Sequence, residues 1–233
     1  MATVNAGKWG YVGFEGSTSF SNSRGQSTGD ELSNNYTGSN RVHVSFFYDS
    51  GKGGTWAFRR GFYAFNVSSY ASGYTISNLK FYYKPTASGQ GTCLIAAVKS
   101  TAQGNADTDL ALADYDSYDQ SVNYAANDGS IGWFDGTALS YFDLNSTAIS
   151  AFTSSYLKIC ILEYTHDYSN SSPFANTNIS GFLNGTTTPY LSFTATPTGW
   201  SYGDINGVTS PQEELNAVSY TNMDLVNGVP FTP

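Results

Sequence analysis

Thr75 to Pro85 reads TISNLKFYYKP. Leu79, Phe81 and Tyr83 fall on one face of an extended chain, while Lys80, Tyr82 and Lys84 fall on the other. That two-residue period is the mark of a strand with one buried and one solvated face. Pro85 has no amide hydrogen and ends the ladder. Similar stretches lie on both sides. Upstream, VHVSFFY (residues 42–48) reads as a strand, and KGGTWAFRRGFYAFNV (52–67) as a turn feeding another, with Tyr63, Phe65 and Val67 on one face. Downstream, GTCLIAAVKS (91–100) predicts a central strand apolar on both faces. ALSYFDL (138–144) and YLKICILEY (156–164) continue the series, and PYLSFTAT (189–196) closes it with Leu191 and Phe193 on one face before Pro197 and Gly199 break the pattern. Residues 1–40, rich in Gly, Ser and Asn, predict only short edge strands joined by turns. One short helix is expected in NSTAISAF, with Asn145 or Ser146 as N-cap ahead of Ile149 and Phe152. Strands at intervals of roughly 10 to 25 residues with almost no helix predict two antiparallel sheets sharing one aromatic-rich core.

The composition supports a folded chain with an unusual surface. Of 233 residues, 40% are hydrophobic and 16% aromatic, but only 12% are charged, against roughly 25% in an average soluble domain. Hydroxyl and amide groups of Ser, Thr, Asn and Tyr must therefore solvate the exterior. A net charge of -8 opposes the phosphate neutralisation that nucleic-acid binding requires, so nucleic acid is not an expected partner. No stretch approaches the roughly 18 to 20 apolar residues of a membrane span, and MATVNAGKWGYVGFEG lacks the basic start and apolar region of a secretory signal. Production without export, combined with such a surface, suits the exterior of a particle. Cys93 and Cys160 both lie in apolar runs. Buried thiols are the simpler expectation, and a bridge is open if the two runs are neighbours.

Between residues 101 and 136 lies a long acidic, turn-rich excursion, expected to be functional or to hold short strands of its own. Asn105, Asp107 and Asp109 alternate there and are followed by Asp114, Asp116 and Asp119. Asp107, Asp109, Asp114 and Asp116 make an oxygen-rich candidate for Ca²⁺, although the pattern is not an EF-hand. Trp133, Tyr115 and Tyr118, with Tyr124 and Tyr141 nearby, are the candidate glycan platform, because the C–H face of a sugar stacks on an aromatic ring while Asn and Asp satisfy its hydroxyls. Catalysis is not expected. Glu163 alone among five glutamates sits in a convincing strand, where it reads as an outward residue at a strand end. His43 and His166 lack partners at metal-ligand spacing, and His166-Asp167 reads as ordinary loop polarity.

The chain closes on a repeat. Ile205-Asn206-Gly207-Val208, Leu215-Asn216-Ala217-Val218 and Val226-Asn227-Gly228-Val229 place an aliphatic-Asn-small-Val phrase at intervals of ten and then eleven residues. A segment of this kind has few large side chains, too few to offset backbone ordering of roughly 1 to 2 kcal/mol per residue. It is expected to act with a partner: Ile205, Val208, Leu215, Val218, Val226 and Val229 would enter apolar pockets, with Asn or Gly turning the chain between them.

RRGFYAFNVSSYASGYTISNLKFYYKP resembles the DNRLRE family of β-sandwich modules, through Arg60, Phe65, Val67, Ser68, Ser69, Ile76, Leu79 and Phe81, and TTPYLSFTAT is similar to that family's last strand. The likeness covers roughly residues 40–196 and implies a jelly-roll-like sandwich. Modules of this family occur in surface proteins, often beside carbohydrate-active domains, and some are described as carbohydrate-binding. The terminal repeats resemble those on virion proteins of tailed phages, particularly phages of Bacteroidetes hosts. The expectation is an all-β, jelly-roll-like antiparallel β-sandwich over residues 1–197 with an extended C-terminal arm over 198–233. Its function would be that of a virion structural protein, a capsid decoration or cement protein or a fibre or tail component, docking on neighbouring subunits or on copies of itself. The alternative is a carbohydrate-binding adhesion module. No cofactor is expected beyond the possible Ca²⁺.

Overall fold

The computed structural model describes residues 1–16, 19–34, 42–52, 54–88, 93–104, 106–125, 131–132, 139–183, 187–198, 225–226 and 229–230. Two compact units divide the chain, Met1–Pro197 and Thr198–Pro233. In the first, the elements run β1 (Ala2–Asn5), β2 (Lys8–Gly16), α1 (Phe20–Arg24), β3 (Glu31–Asn34), β4 (Val42–Asp49), β5 (Thr55–Asn66), β6 (Tyr74–Tyr83) and β7 (Pro85–Ser88). They continue as β8 (Leu94–Ser100), β9 (Tyr118–Asn123), β10 (Ile131–Gly132), β11 (Ser140–Asp143), α2 (Ser146–Ser150), β12 (Tyr156–Glu163), β13 (Thr177–Leu183) and β14 (Tyr190–Pro197). The second unit holds β15 (Leu225–Val226) and β16 (Val229–Pro230), an antiparallel pair in which Val226 faces Val229. The all-β sandwich expected from the sequence is the observed fold. Among the described residues no helix is long and apolar enough to cross a membrane.

Sandwich geometry follows from the alternation. A four-stranded sheet has the order β1-β14-β6-β11, and a ten-stranded sheet follows the path β10-β8-β12-β5-β4-β13-β7, with β2, β3 and β9 attached. On β6 the inward residues are Ile76, Leu79, Phe81 and Tyr83, all buried. The step of three between Ile76 and Leu79 is a bulge, with Asn78 at φ 52° and a register shift opposite β14. These residues meet Trp9, Tyr63, Phe65, Ile95, Leu157 and Ile159 of the larger sheet to form a first core. The β6 ladder does end ahead of Pro85, at Tyr83, and Pro85 itself opens β7 in the other sheet, beside β13. Asn145 caps α2 as expected, accepting hydrogen bonds from the amides of Thr147 and Ala148.

Three expectations are corrected. Residues 1–40 hold more than short edge strands, because β2 is a nine-residue strand between β3 and β5. Its glycines hide it in the sequence, yet close packing requires one of them: a Cβ at Gly10 would lie 2.1 Å from the Ser33 carbonyl oxygen. A second helix, α1, is capped by Ser19, whose side chain accepts from the Asn22 amide. The largest difference is a second core. Val12, Phe46, Phe58, Phe62, Val98, Cys160 and Leu162 project from the far face of the larger sheet and are covered by Phe20 of α1, Leu110 and Tyr115. Cys93 packs in the first core and Cys160 in the second, both as free thiols, so no bridge joins them.

Arg60 sits inside the second core with 0% exposure. Its position follows from the topology. Along β5, residues Trp56 to Ala64 pair with β2 on one edge; the other edge is shared by β4 (opposite residues 55–59) and β12 (opposite 61–66), leaving Arg60 where the two diverge. The guanidinium donates from Nε and Nη2 to the two carboxylate oxygens of Asp167 at 2.8 and 2.9 Å, and to the carbonyls of Tyr115 (3.0 Å) and Arg24 (2.8 Å). Asp167 is also 0% exposed, so the aspartate of His166-Asp167, which reads as loop polarity in the sequence, is one half of a fully buried ion pair with Arg60. Removing one partner of such a pair leaves an uncompensated charge and costs about 3–5 kcal/mol. Asp167→Ala should lose that amount in urea unfolding, and the added Arg60→Met should restore most of it because the stranded cation is then gone.

Candidate functional site

The acidic excursion does not converge on one point. Asp109 accepts from Lys8 Nζ at 2.8 Å, and Asp114 accepts from the amides of Ala111 and Gln103 at the turn Leu112–Asp116. Asp116 stands 3.9 Å from Arg60 Nη1, and Asp107 accepts from the Tyr156 hydroxyl at 3.4 Å. Each carboxylate has its own local partner. Among the described residues no three His, Cys, Asp or Glu side chains gather closely enough to hold a metal ion, so the calcium candidate formed by Asp107, Asp109, Asp114 and Asp116 has no geometry behind it. Asn105 lies outside the described residues. The excursion does contain short strands, β9 and β10.

The expected glycan platform is also redistributed. Trp133 lies outside the described residues. Tyr115 is fully buried, donates its hydroxyl hydrogen to the Ser23 carbonyl at 2.9 Å, and stacks 4.1 Å from the Arg60 guanidinium carbon. Tyr118 takes a second face of the same cation at 4.7 Å. Burial pushes both phenols well above their ordinary pKa. Both rings therefore cage Arg60, and Tyr115 has no exposed face to offer a sugar. Tyr124 is likewise buried, at 3% exposure. Glu163 is buried, not outward: its carboxylate accepts from the amides of Thr165, His166 and Asp167 and caps the π-helical turn Tyr164–Tyr168 that carries Asp167. Burial raises its pKa despite those three bonds.

A different set of aromatics reaches solvent. Antiparallel sheets can present one face to water, and the outer face of the four-stranded sheet does so. Its register places Asn5, Tyr190, Tyr82 and Tyr141 in one row across β1, β14, β6 and β11. Thr3, Ser192, Lys80 and Asp143 form the next row. Tyr82 stacks on Tyr190 with ring centroids 4.8 Å apart and planes 5° from parallel, and lies 5.2 Å from Tyr141 on its other side. Tyr141 is 43% exposed. Lys80 Nζ stands 3.7 Å from the Tyr141 ring and donates to Asp143 at 2.7 Å. The Asp143 bond holds that ammonium above its ordinary pKa. The result is a flat surface of three phenols flanked by hydroxyl, amide and ionic groups. This face carries apolar C–H contacts and hydrogen bonds side by side, the combination that binds polyhydroxylated ligands.

Outward Lys80 and Tyr82, and the exposure of Tyr141, were readable from the alternation and the composition. Tyr190 was missed, though the inward pair Leu191 and Phe193 implies that it points out. Nothing in the sequence gives the register that aligns the row. Of the six aliphatic residues in the terminal repeats, Val226 and Val229 fall in β15 and β16; Ile205, Val208, Leu215 and Val218 lie outside the described residues.

No family model matches the chain, and a search of curated proteins finds no relative.

Cross-strand pairs are worth roughly 0.2–1 kcal/mol each, whereas emptying an aromatic site in a core costs about 3–5 kcal/mol. Tyr82→Ala, which breaks two such pairs on the outer face, should therefore cost about 1 kcal/mol in chemical unfolding, and its inward neighbour Phe81→Ala several times more. Equal losses would show that the tyrosine row is part of the packing and not a free surface.

Proposed function

We propose that the protein is a structural component of a virion exterior, a capsid decoration or cement protein or part of a fibre or tail, held to neighbouring subunits by Thr198–Pro233. The observation that carries this reading is the third repeat, where Val226 and Val229 pair across the hairpin of β15 and β16. The residues between them are Asn227 and Gly228, the dipeptide favoured in two-residue hairpin connections. An isolated two-stranded hairpin is marginal in water, and its outer edges offer unpaired backbone groups to another strand. Three copies of the phrase, at intervals of ten and eleven residues, would offer a repeating partner surface three points of attachment, and linked weak contacts reinforce one another through effective concentration. The likeness of the repeats to those of tailed-phage virion proteins points the same way.

A second reading is favoured by the tyrosine row of the four-stranded sheet: a carbohydrate-binding adhesion module. The likeness of residues 40–196 to DNRLRE modules supports it. The two roles are compatible, since an attached particle protein can also adhere.

Removal of residues 198–233 should leave a sandwich with an unchanged near-ultraviolet spectrum that no longer joins assemblies, as read by mass photometry and electron microscopy of the particle fraction. In the full chain, Val226→Asp with Val229→Asp should weaken assembly without altering the melt of the sandwich. Undiminished assembly by both variants would remove the arm from the mechanism. On a glycan array, binding lost in Tyr82→Ala but kept in Trp133→Ala would assign adhesion to the tyrosine row; the reverse would return it to Trp133.

A further inference from the structure

The edge of a sheet is a row of unpaired amides and carbonyls that can template another strand, and edge strands ordinarily carry a charge, a proline, a bulge or a very short length that prevents it. Among the described residues of the first unit, β1, β3, β7, β9, β10 and β11 each have a neighbour on one side only. Five of them are protected. β3 opens on Glu31 and β11 ends on Asp143. β9 carries Asp119 and pairs with β8 through a register shift, β7 opens on Pro85 and shifts register against β13, and β10 is two residues long. β1, with the sequence ATVN, has none of these features. It lies in unbroken register on β14, from Ala2 opposite Phe193 to Asn5 opposite Tyr190.

One bond fixes which way its backbone groups point. The Ala6 amide donates to the Pro189 carbonyl at 2.9 Å. Bonded and non-bonded pairs alternate along an antiparallel ladder, so Val4 and Ala2 also turn their N–H and C=O toward β14, and Thr3 and Asn5 turn theirs to the open edge. The edge stops after Ala6, because the Gly7 amide donates to the Ala64 carbonyl at 3.0 Å and leads the chain into the other sheet. Side chains alternate as well. Ala2 and Val4 are half-buried on the rim of the first core, while Thr3 and Asn5 are exposed on the outer face.

We infer that β1 is a self-pairing edge, to which a second copy of the chain adds its own β1 antiparallel across a two-fold axis, joining the two four-stranded sheets into one. Such an interface uses the same patch on both copies, so the edge must complement itself. It does so in one register. With Val4 opposite the partner's Val4, Thr3 stands opposite the partner's Asn5 and Asn5 opposite the partner's Thr3, and each of these pairs exchanges both of its outward N–H···O=C bonds. A shift one way sets Thr3 against the partner's Gly7, whose amide is already bonded to Ala64. A shift the other way sets Asn5 against the partner's Met1, outside the strand. The faces also match: valine meets valine on the core side, and threonine meets asparagine on the solvated side.

β1 carries no charge, but each copy carries -8, so the pairing works against a repulsion that salt screens. An edge this short makes a weak dimer, populated at roughly 10 µM to 1 mM. The pairing uses no residue of Thr198–Pro233 and is separate from the attachment proposed for that unit.

Sedimentation velocity of the full chain across that range, with amide exchange followed by NMR at the same concentrations, tests it. A monomer–dimer equilibrium that strengthens with added salt is expected. The Thr3 and Asn5 amides should exchange more slowly as the concentration rises, while the Val4 amide, bonded to β14 throughout, should not change. Thr3→Pro removes an outward donor and leaves the β14 bonds of Ala2, Val4 and Ala6; Asn5→Lys keeps every backbone group and places a charge on the edge. Each should weaken dimerisation roughly tenfold or more, since each change occurs twice across the axis, with the parent's melting temperature; if the proline lowers the melt, Asn5→Lys decides. The full-chain variant Val226→Asp with Val229→Asp should dimerise as the parent does. A chain that stays monomeric to the top of the range in high salt overturns the inference, as does unchanged dimerisation of Asn5→Lys or exchange at Thr3 and Asn5 that ignores concentration. Loss of the dimer in Val226→Asp with Val229→Asp also overturns it, because self-association would then belong to the arm.

Discussion

A guanidinium cannot be left unpaired in an apolar interior, and the architecture of this protein is arranged around that fact at Arg60. Desolvating a charge costs several kcal/mol even after relaxation, so Arg60 must bring its partners inside with it. Asp167 supplies the opposite charge in a two-point bond, the carbonyls of Tyr115 and Arg24 take further donors, and the rings of Tyr115 and Tyr118 cover the cation. These partners come from segments far apart in sequence. Arg24 ends α1, Tyr115 and Tyr118 come from the long excursion, and Asp167 sits on the π-helical turn capped by Glu163. One cation therefore gathers the irregular segments into the lid of the second core. Arg24 reinforces the join, with Nε donating to the Asp167 carbonyl at 2.7 Å and its guanidinium donating also to Gln120.

The same residue sets the face of its neighbour. Arg59 and Arg60 are consecutive on β5, so alternation sends them to opposite sides of the sheet. With Arg60 fixed inside the second core, Arg59 must emerge on the face where β3, β4 and β13 place Glu31, Ser45, His43 and Ser180 around it. A one-residue slip of β5 would exchange the two arginines and destroy both environments at once. The Arg59–Glu31 pair therefore depends on the buried Arg60–Asp167 pair even though the two do not touch.

How much of this was legible in the sequence depends on whether a pattern is local. β6 and β14 were plain, because Leu79, Phe81, Leu191 and Phe193 alternate with polar residues and face one core. The second core was not, since TWAFRRGFYAF is apolar on both faces and carries two consecutive arginines, which do not announce a buried cation. β2 was hidden by glycines that are needed for close approach to β3. Tyr115 and Tyr118 were read as part of a glycan platform, because composition does not distinguish a ring that cages a cation from one that waits for a sugar. The tyrosine row and the polar row through Arg59 both arise from register between strands distant in sequence. No single segment encodes either.

The proposed function assigns display to the sandwich and attachment to the repeat-bearing C-terminal unit, and within the sandwich Arg60 ties the irregular segments to the second core. The most direct measurement is native-state hydrogen exchange on the full chain, followed residue by residue. The account predicts that the amides of Thr165, His166 and Asp167, bonded to buried Glu163, exchange only with the opening of β5 and β12, as one cooperative unit. Rapid exchange of those three amides while β5 and β12 stay protected would contradict it, because the lid of the second core would then open without the buried ion pair resisting.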